Sequence, residues 1–323
     1  MRDPRFWQHD GIVPTLLRPL SAFWRAGTCI RNLTITARHP GCPVFCVGNF
    51  TVGGAGKTPT AIVLFEILTA LGRTPHFVSR GYGGSIVGPH RVDPNNDRAA
   101  QVGDEPLLLA QHGPAWISRE RFLGAEMAHA AGADAIILDD GLQNPSLIKD
   151  CSFAVVDSHY GIGNGQVMPA GPMREPLLSG LEKVRAIILI GDQTPRFITD
   201  LPASVPVLRA QIEPINGADF ANQKVMAFAG IGRPEKFYDS LKQVGAEIVK
   251  TQDFDDHHVF SEHELINLRT QAEQLGATLV TTQKDLMRLP MESRDGISSL
   301  DIRLAFDAPD QLSTIVKTVL ANG

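Results

Sequence analysis

The sequence predicts an α/β protein: a phosphate-loop, parallel-sheet N-terminal domain, a smaller α/β C-terminal domain and an N-terminal amphipathic helix. Three observations carry this expectation. After residue 40, short continuous apolar runs alternate with helix-length segments, the pattern of a parallel sheet covered on both faces. The first such run, 44–47, leads into GNFTVGGAGKTP (48–59) and then a helical pattern, 60–71, which is the strand, glycine-rich loop and helix order of a phosphate-binding loop. At 195–217 the composition changes, with Pro202, Pro206 and Pro214 in short extended pieces, and a second α/β alternation follows.

In order, the strand candidates of the first half are 44–47, 76–79, 115–118, 135–138, 153–156 and 186–190. Helical patterns at 60–71, 105–111 and 121–131 lie between them. The second half reads as a strand at 224–229, a helix at 234–244 stopped by Gly245, an extended piece at 247–249 and a helix at 262–274 with Ser261 as N-cap. Strands at 278–282 and 300–306 and a helix at 311–320 close the chain. The expected division is an N-terminal segment 1–40, a nucleotide-binding domain 41–200, a linker 201–223 and a C-terminal α/β domain 224–323.

Composition narrows the function. The chain has 323 residues, 43% of them hydrophobic, so a sizeable core can form. Net charge is -5, so nothing global points to nucleic acid, and an acidic substrate needs a local basic patch. The four cysteines are irregularly spaced, as in proteins that keep their thiols reduced. No run of about twenty apolar residues is present, and Arg2, Asp3, Asp10 and Pro14 interrupt any signal-peptide pattern. A soluble or peripheral cytoplasmic protein is expected. Between Leu16 and Leu33, apolar residues fall mostly at helical spacings, with Arg18, Arg25 and Arg31 interleaved. Such a helix either lies in the headgroup layer of an anionic membrane or packs its apolar face on the protein.

The phosphate loop is the strongest chemical signal. Gly53, Gly54 and Gly56 let amide hydrogens close around phosphate oxygens. Lys57 supplies a cation and Thr58 a hydroxyl for magnesium, and Val52 and Ala55 complete the cradle. Thr51 stands where the general pattern has glycine. The apolar run ending in Asp139 and Asp140 places acids at a strand end, where such proteins hold magnesium, and Gln143 follows in the turn. Asp104 and Glu105 open a helix, either as its cap or as carboxylates facing the γ-phosphate. Arg80 lies in a glycine-rich segment after a strand, and Arg174 and Glu175 on a Gly/Pro-rich loop. FDDHHVF (254–260) offers clustered acids and histidines, a metal site, an acid–base pair or a polar loop.

Together these segments resemble the tetraacyldisaccharide 4'-kinase family of lipid A biosynthesis. The resemblance rests on GNFTVGGAGKTP (48–59), SRGYGG (79–84), VGDEP (102–106), LDDGLQ (138–143), GNGQVMPAGPMREP (163–176), FAGIGRPEKF (228–237), FDDHHVF (254–260) and TTQKD (281–285), in order over nearly the whole chain. Thr51 agrees with the family's TVGG form, and Gln283 departs from its frequent glutamate.

The resemblance implies that ATP donates its γ-phosphate to the 4' hydroxyl of a tetraacylated glucosamine disaccharide 1-phosphate, giving lipid IVA. It implies Asp104 as base, paired with His257, and Lys57 at the phosphates. Thr51 to Thr58 would hold ATP. Thr58, Asp139, Asp140 and Gln143, with Glu105, would hold Mg2+. Arg80, Arg119, Arg174 and Glu175 would contact phosphate or headgroup. It also makes 1–40 a membrane-docking segment on the cytoplasmic face of the inner membrane, in a monomer that binds no nucleic acid. The alternative is a membrane-associated ATPase or nucleotide switch without a lipid acceptor.

Overall fold

Hydrophobic periodicity explains the main sheet. Its strands are β1 (Val44–Gly48), β2 (Pro75–Ser79), β3 (His90–Arg91), β4 (Ala115–Ile117), β5 (Ala135–Asp139), β6 (Cys151–Asp157), β7 (Ala186–Ile190), β8 (Val207–Pro214) and a late strand described below. β1, β2, β5, β6 and β7 are buried along their whole length. Alternate residues feed opposite faces: Phe45, Val47 and Ile137 enter one core cluster, while Val44, Cys46, Ile136 and Leu138 enter the other. Each buried side chain of this size contributes about 1.5 to 3 kcal/mol. These coordinates are a computed structural model that describes residues 4–322, so residues 1–3 of the expected N-terminal segment and residue 323 lie outside it.

A second sheet contains β9 (Lys224–Ala229), β10 (Glu247–Asp253), β11 (Thr278–Thr282) and β12 (Ile297–Leu300), in the order β10-β9-β11-β12 and parallel throughout. The large sheet has the order β13-β8-β7-β6-β1-β5-β2-β4-β3, where β13 is Ile302–Phe306. Only β3 and β13 run antiparallel to their neighbours in the large sheet.

Two placements differ from the sequence reading. The stretch expected as a linker carries β8, which runs parallel to β7 as part of the large sheet. The strand expected at 300–306 is two strands: β12 belongs to the small sheet and β13 returns to pair with β8. The final helix, Pro309–Asn322, follows β13 back, and Leu312 and Val316 join the core of the large sheet. Prolines at 202, 206 and 214 disguised β8. Pro206 and Pro214 fall before and at the end of the strand, so only one of them is in the ladder.

The glycine-rich loop leaves β1 at the centre of the large sheet, between β5 and β6. That is the position in open α/β sheets where ligands meet the carboxyl ends of the strands. Helix α1 (Ile12–Thr34) lies outside the sheet, and α2 (Lys57–Ala70) begins directly on the loop.

Candidate active site

The loop is shaped by two left-handed glycines, Gly53 at φ 98° and Gly56 at φ 94°. Gly56 caps α2, and a Cβ there would lie 2.4 Å from Ile190 Cδ1. Glycine therefore fits on two counts, dihedral angle and space. Thr51 and Val52 are pinned to the loop that carries Arg174: Val52 N donates to Pro172 O at 3.0 Å, and Arg174 Nε donates to Thr51 O at 3.1 Å. Gly54 is exposed and Ala55 buried. Lys57 is buried at the start of α2, its Nζ 3.3 Å from Gly53 O and 3.8 Å from Asp140 Oδ2.

Thr58 and Asp139 meet at the tips of α2 and β5. Thr58 Oγ1 donates to Asp139 Oδ2 at 3.4 Å, and Asp139 Oδ1 is buried with no hydrogen-bond partner. Burial, reinforced by the charge of Glu105, raises the Asp139 carboxyl above its usual range. A hydroxyl and a buried carboxylate oxygen lacking a donor make an oxygen-ligand set of the kind a hard divalent cation takes. Among the described residues, no three His, Cys, Asp or Glu side chains form a closed metal cage. Magnesium ordinarily takes one or two carboxylates and completes its shell with water and phosphate.

Asp140 adopts φ 56° and is gripped by Arg174 through two bonds, Nη1–Oδ1 at 2.7 Å and Nη2–Oδ2 at 3.1 Å. Burial would raise its carboxyl, but Lys57 and Arg174 outweigh that and hold it at about 2. Gln143 does not aim at this carboxylate. Its amide nitrogen donates to Asn49 O and Glu175 Oε1, both at 3.1 Å, and its Oε1 accepts from Arg174 at 3.3 Å. Glu175 is buried and paired with Lys183. Arg174, Glu175 and Gln143 thus form a brace behind Asp140 in this conformation.

A second cluster joins the two lobes, with Asp104 and Glu105 from the large-sheet side and His257, Lys284 and Arg288 from the other. Asp104 and Glu105 open the helix Asp104–Ala110. Lys284, in the helix Gln283–Arg288 that follows β11, reaches Glu105 Oε1 at 2.5 Å and keeps that carboxyl below its usual range. Asp104 is buried against Arg288, with Nη2 at 2.5 Å and Nε at 2.9 Å from Oδ2. Burial alone would raise Asp104, but hydrogen bonding to His257 and the charges of Arg288 and Lys284 drive it far below the usual range.

His257 Nδ1 lies 3.4 Å from Asp104 Oδ2 and 3.2 Å from Arg288 Nη2. The first contact is a hydrogen bond when Nδ1 carries a proton, the second only when it does not. The hydrogen bond to Asp104 prevails and raises the imidazole above its usual value. His257 itself adopts φ 60°, and its ring lies 5.5 Å from that of Tyr82. His258 is directed elsewhere, to Glu264 at 3.1 Å. A cleft of about 470 Å3 opens beside Asp104 and His257, lined also by Tyr82, Arg98, Arg288 and Met291.

Arg80 and Arg119, expected at the site from the sequence, are both exposed, with no ion pair among the described residues. Arg121, not expected there from the sequence, is buried, has an unbonded Nε and bears no acidic partner among the described residues. Burial, then the charge of Arg80, lowers this guanidinium to about 10, while Asp139 and Asp140 oppose that shift. Arg288 is likewise unexpected from the sequence. Buried arginines in helical segments give no pattern that separates them from solvated ones. A further cross-gap contact joins Asp157, at the tip of β6, to Arg233 at 2.8 Å and to Lys236.

The arrangement combines the glycine loop and Lys57, the oxygen pair of Thr58 and Asp139, and an ionised Asp104 that His257 reaches from the second lobe. It suits transfer of a phosphoryl group to an acceptor between the sheets.

The family described as Tetraacyldisaccharide-1-P 4'-kinase matches residues 13–321. Among similar curated proteins is the tetraacyldisaccharide 4'-kinase of Methylorubrum extorquens (strain PA1), 48% identical over 311 residues, 95% of each chain. That of Rhodospirillum rubrum is 44% identical over 325 residues, covering 99% of this chain and 98% of the relative. A crystal structure of Aquifex aeolicus LpxK in complex with ATP shares the fold, with a TM-score of 0.76 and 24% identity, covering 95% of this chain and 99% of that one.

Proposed function

This chain belongs to the tetraacyldisaccharide-1-P 4'-kinase family, and we propose that it transfers the γ-phosphate of ATP to the 4' hydroxyl of a tetraacylated glucosamine disaccharide 1-phosphate, yielding lipid IVA. The observation that carries this reading is the pairing of Thr58 with Asp139 beside Lys57, in the same lobe as Asp104, which His257 meets from the second lobe.

In this reading the amides from Gly53 to Gly56 and the N-terminus of α2 receive the β- and γ-phosphates, and Lys57 turns from Gly53 O to the outer phosphate oxygens. Thr58 and Asp139 hold Mg2+, with Asp140 next to them. When bound, the ion would supply positive charge to the phosphate oxygens. Arg121, lacking an acidic partner, is placed to face that charge too. Glu105 is held ionised by Lys284 and faces the same region.

Asp104 is ionised throughout the physiological range, since its carboxyl is held so low. It orients the acceptor hydroxyl by accepting its hydrogen bond and takes the proton late, as a loose phosphoryl transition state allows. His257, donating from Nδ1 to Oδ2, orients that carboxylate. The lobes exclude water, which would otherwise compete for the phosphoryl group.

The acceptor is a lipid, and α1 fits a bilayer. An ordinary packed helix turns its apolar stripe inward. Here the inward stripe is Pro14, Leu17, Ser21, Trp24, Thr28 and Arg31, three or four residues apart. The outward side carries Ile12, Leu16, Leu20, Phe23, Ile30 and Leu33, with Ile12 80% and Leu33 82% exposed. Arg18 and Arg25 are exposed and favour anionic headgroups. No helix among the described residues is long and apolar enough to cross a membrane. α1 therefore docks on the surface, and we place the enzyme, as a monomer, at the cytoplasmic face of the inner membrane.

Purified Lys57→Ala and Asp104→Ala, assayed with radiolabelled ATP and the disaccharide lipid, should each lose most phosphoryl transfer while remaining folded. ATP turnover by the wild type should require the lipid. Full activity in either variant refutes the assigned roles, and lipid-independent turnover refutes the acceptor.

A further inference from the structure

α1 does more than present an apolar face. Side chains from the N-terminal region donate to four backbone carbonyls of the loops around the phosphate site. Trp7 Nε1 reaches Pro169 O at 3.1 Å, and Ser21 Oγ reaches Val167 O at 2.7 Å. Trp24 Nε1 reaches Arg174 O at 3.3 Å, and Arg31 Nη2 reaches Gln143 O at 2.9 Å. The last two acceptors belong to Arg174 and Gln143, two members of the brace behind Asp140.

Both brace residues are in turn fixed to the tip of β1. Arg174 N donates to Phe50 O at 2.8 Å, and Gln143 Nε2 donates to Asn49 O at 3.1 Å. Arg174 Nε also holds Thr51 O, where the cradle begins. The backbone carbonyls that Trp24 and Arg31 take therefore belong to Arg174, whose side chain grips Asp140 and Thr51 O, and to Gln143, whose side chain accepts from Arg174. Asp140 needs such a grip, because φ 56° is a strained conformation for a non-glycine residue and persists only where its surroundings enforce it.

α1 is lightly seated. In its 23 residues only Pro14 and Ser21 are buried, and the Trp24 and Arg31 bonds lie in exposed surroundings. With so little apolar area buried, the seated state in water is only weakly favoured over a loosened one. A bilayer that covers Ile12, Leu16, Leu20, Phe23, Ile30 and Leu33 stabilises the helix and removes that looseness.

We propose that Trp24 and Arg31 are positioning residues that couple the seating of α1 on an anionic bilayer to the geometry of Asp140, so that the enzyme binds Mg·ATP more tightly at the membrane than in water. The inference rests on the membrane-docking reading of α1 and adds a regulatory consequence to it. Linkage makes the effect reciprocal: bound nucleotide should tighten the hold on the bilayer by the same factor. The kinase thereby favours its phosphoryl donor where its lipid acceptor resides.

The test uses the full chain and a fluorescent ATP analogue with magnesium, titrated with and without vesicles of phosphatidylglycerol and phosphatidylethanolamine. Co-sedimentation is measured on the same samples. The wild type should sediment, and its nucleotide Kd should fall by about fivefold or more on vesicles, the lower range of coupling between sites. Trp24→Phe combined with Arg31→Leu keeps an aromatic ring at the interface and removes both donors. It should sediment like the wild type yet show no vesicle-dependent change in Kd. Arg31→Lys in the Trp24→Phe background, which restores one donor, should recover part of the response. An unchanged wild-type Kd on vesicles that do bind the protein overturns the coupling alone, as does a full response in the double variant. Failure of the wild type to sediment overturns the docking reading and the coupling with it.

Discussion

Arg288 and Asp104, 184 residues apart, meet at 2.5 Å with their side chains only 6% and 5% exposed. The arginine also donates to Gly230 O at 2.5 Å and to Asp285 at 2.6 Å. It joins the helix Gln283–Arg288 of the second sheet to the carboxylate proposed to receive the acceptor's proton.

Removing Arg288 leaves Asp104 buried without its closest cation. Arg288→Met should cost roughly 3 to 5 kcal/mol, the usual penalty for breaking a buried ion pair on one side. The loss can be read from urea denaturation. Arg288→Lys retains charge but not the forked geometry, and should fall between the two. A variant as stable as the wild type would show that the pair is not a structural joint.

His257 gives the protein a pH signature. Its pairing with Asp104 raises the folded-state value above the unfolded one of about 6.5. Stability from the protonated pair is therefore fully present below about pH 6.5 and is lost as pH rises through the higher folded value. The wild type should have the higher Tm against His257→Gln in mildly acidic buffer. That gap should narrow as pH rises beyond neutrality. A gap independent of pH would mean that the imidazole acts by packing alone.

Asp139 shares that direction of pH dependence, but as a cost that grows with pH rather than a stabilisation that is lost. Its carboxyl is raised by burial and by Glu105, so ionisation disfavours the folded state as pH rises above the unfolded value of about 3.9. Asp139→Asn should therefore melt higher than the wild type at pH 7, by about 2 °C or more, and the difference should vanish near pH 4. The same variant should lose magnesium-dependent nucleotide affinity. Such an opposition between stability and activity marks a group kept for function. A lower Tm for the variant at neutral pH would contradict it.

Gly56 tests the loop's shape. Gly56→Ala forces a Cβ to 2.4 Å from Ile190 Cδ1 and places alanine at φ 94°. The left-handed conformation alone costs about 1 to 2 kcal/mol. Nucleotide affinity should fall with stability. Adding Ile190→Ala should relieve the clash but not the dihedral strain, so recovery should be partial. Complete recovery would assign the whole effect to packing.

The sequence by itself determined the buried inner strands of the large sheet and the glycine-rich turn from strand to helix, because these are local. Apolar runs such as 135–138, ending in Asp139, fold as buried strands wherever they are placed, and GAGK before a helix shapes a cradle from its own dihedrals. Asp104 and His257 were legible as a pair only through the family's ordered motifs, since nothing local links residues 153 positions apart. Tertiary structure alone decided that Arg288 and Lys284 cross to Asp104 and Glu105, and that Gln143 and Glu175 brace Asp140 through Arg174. It also decided that β13 leaves the small sheet for β8, and that α1 turns its apolar side outward. The physical reason is common to all of these: long charged side chains and amphipathic faces take their partners from whatever surface packing brings near, and a one-dimensional pattern does not encode that proximity.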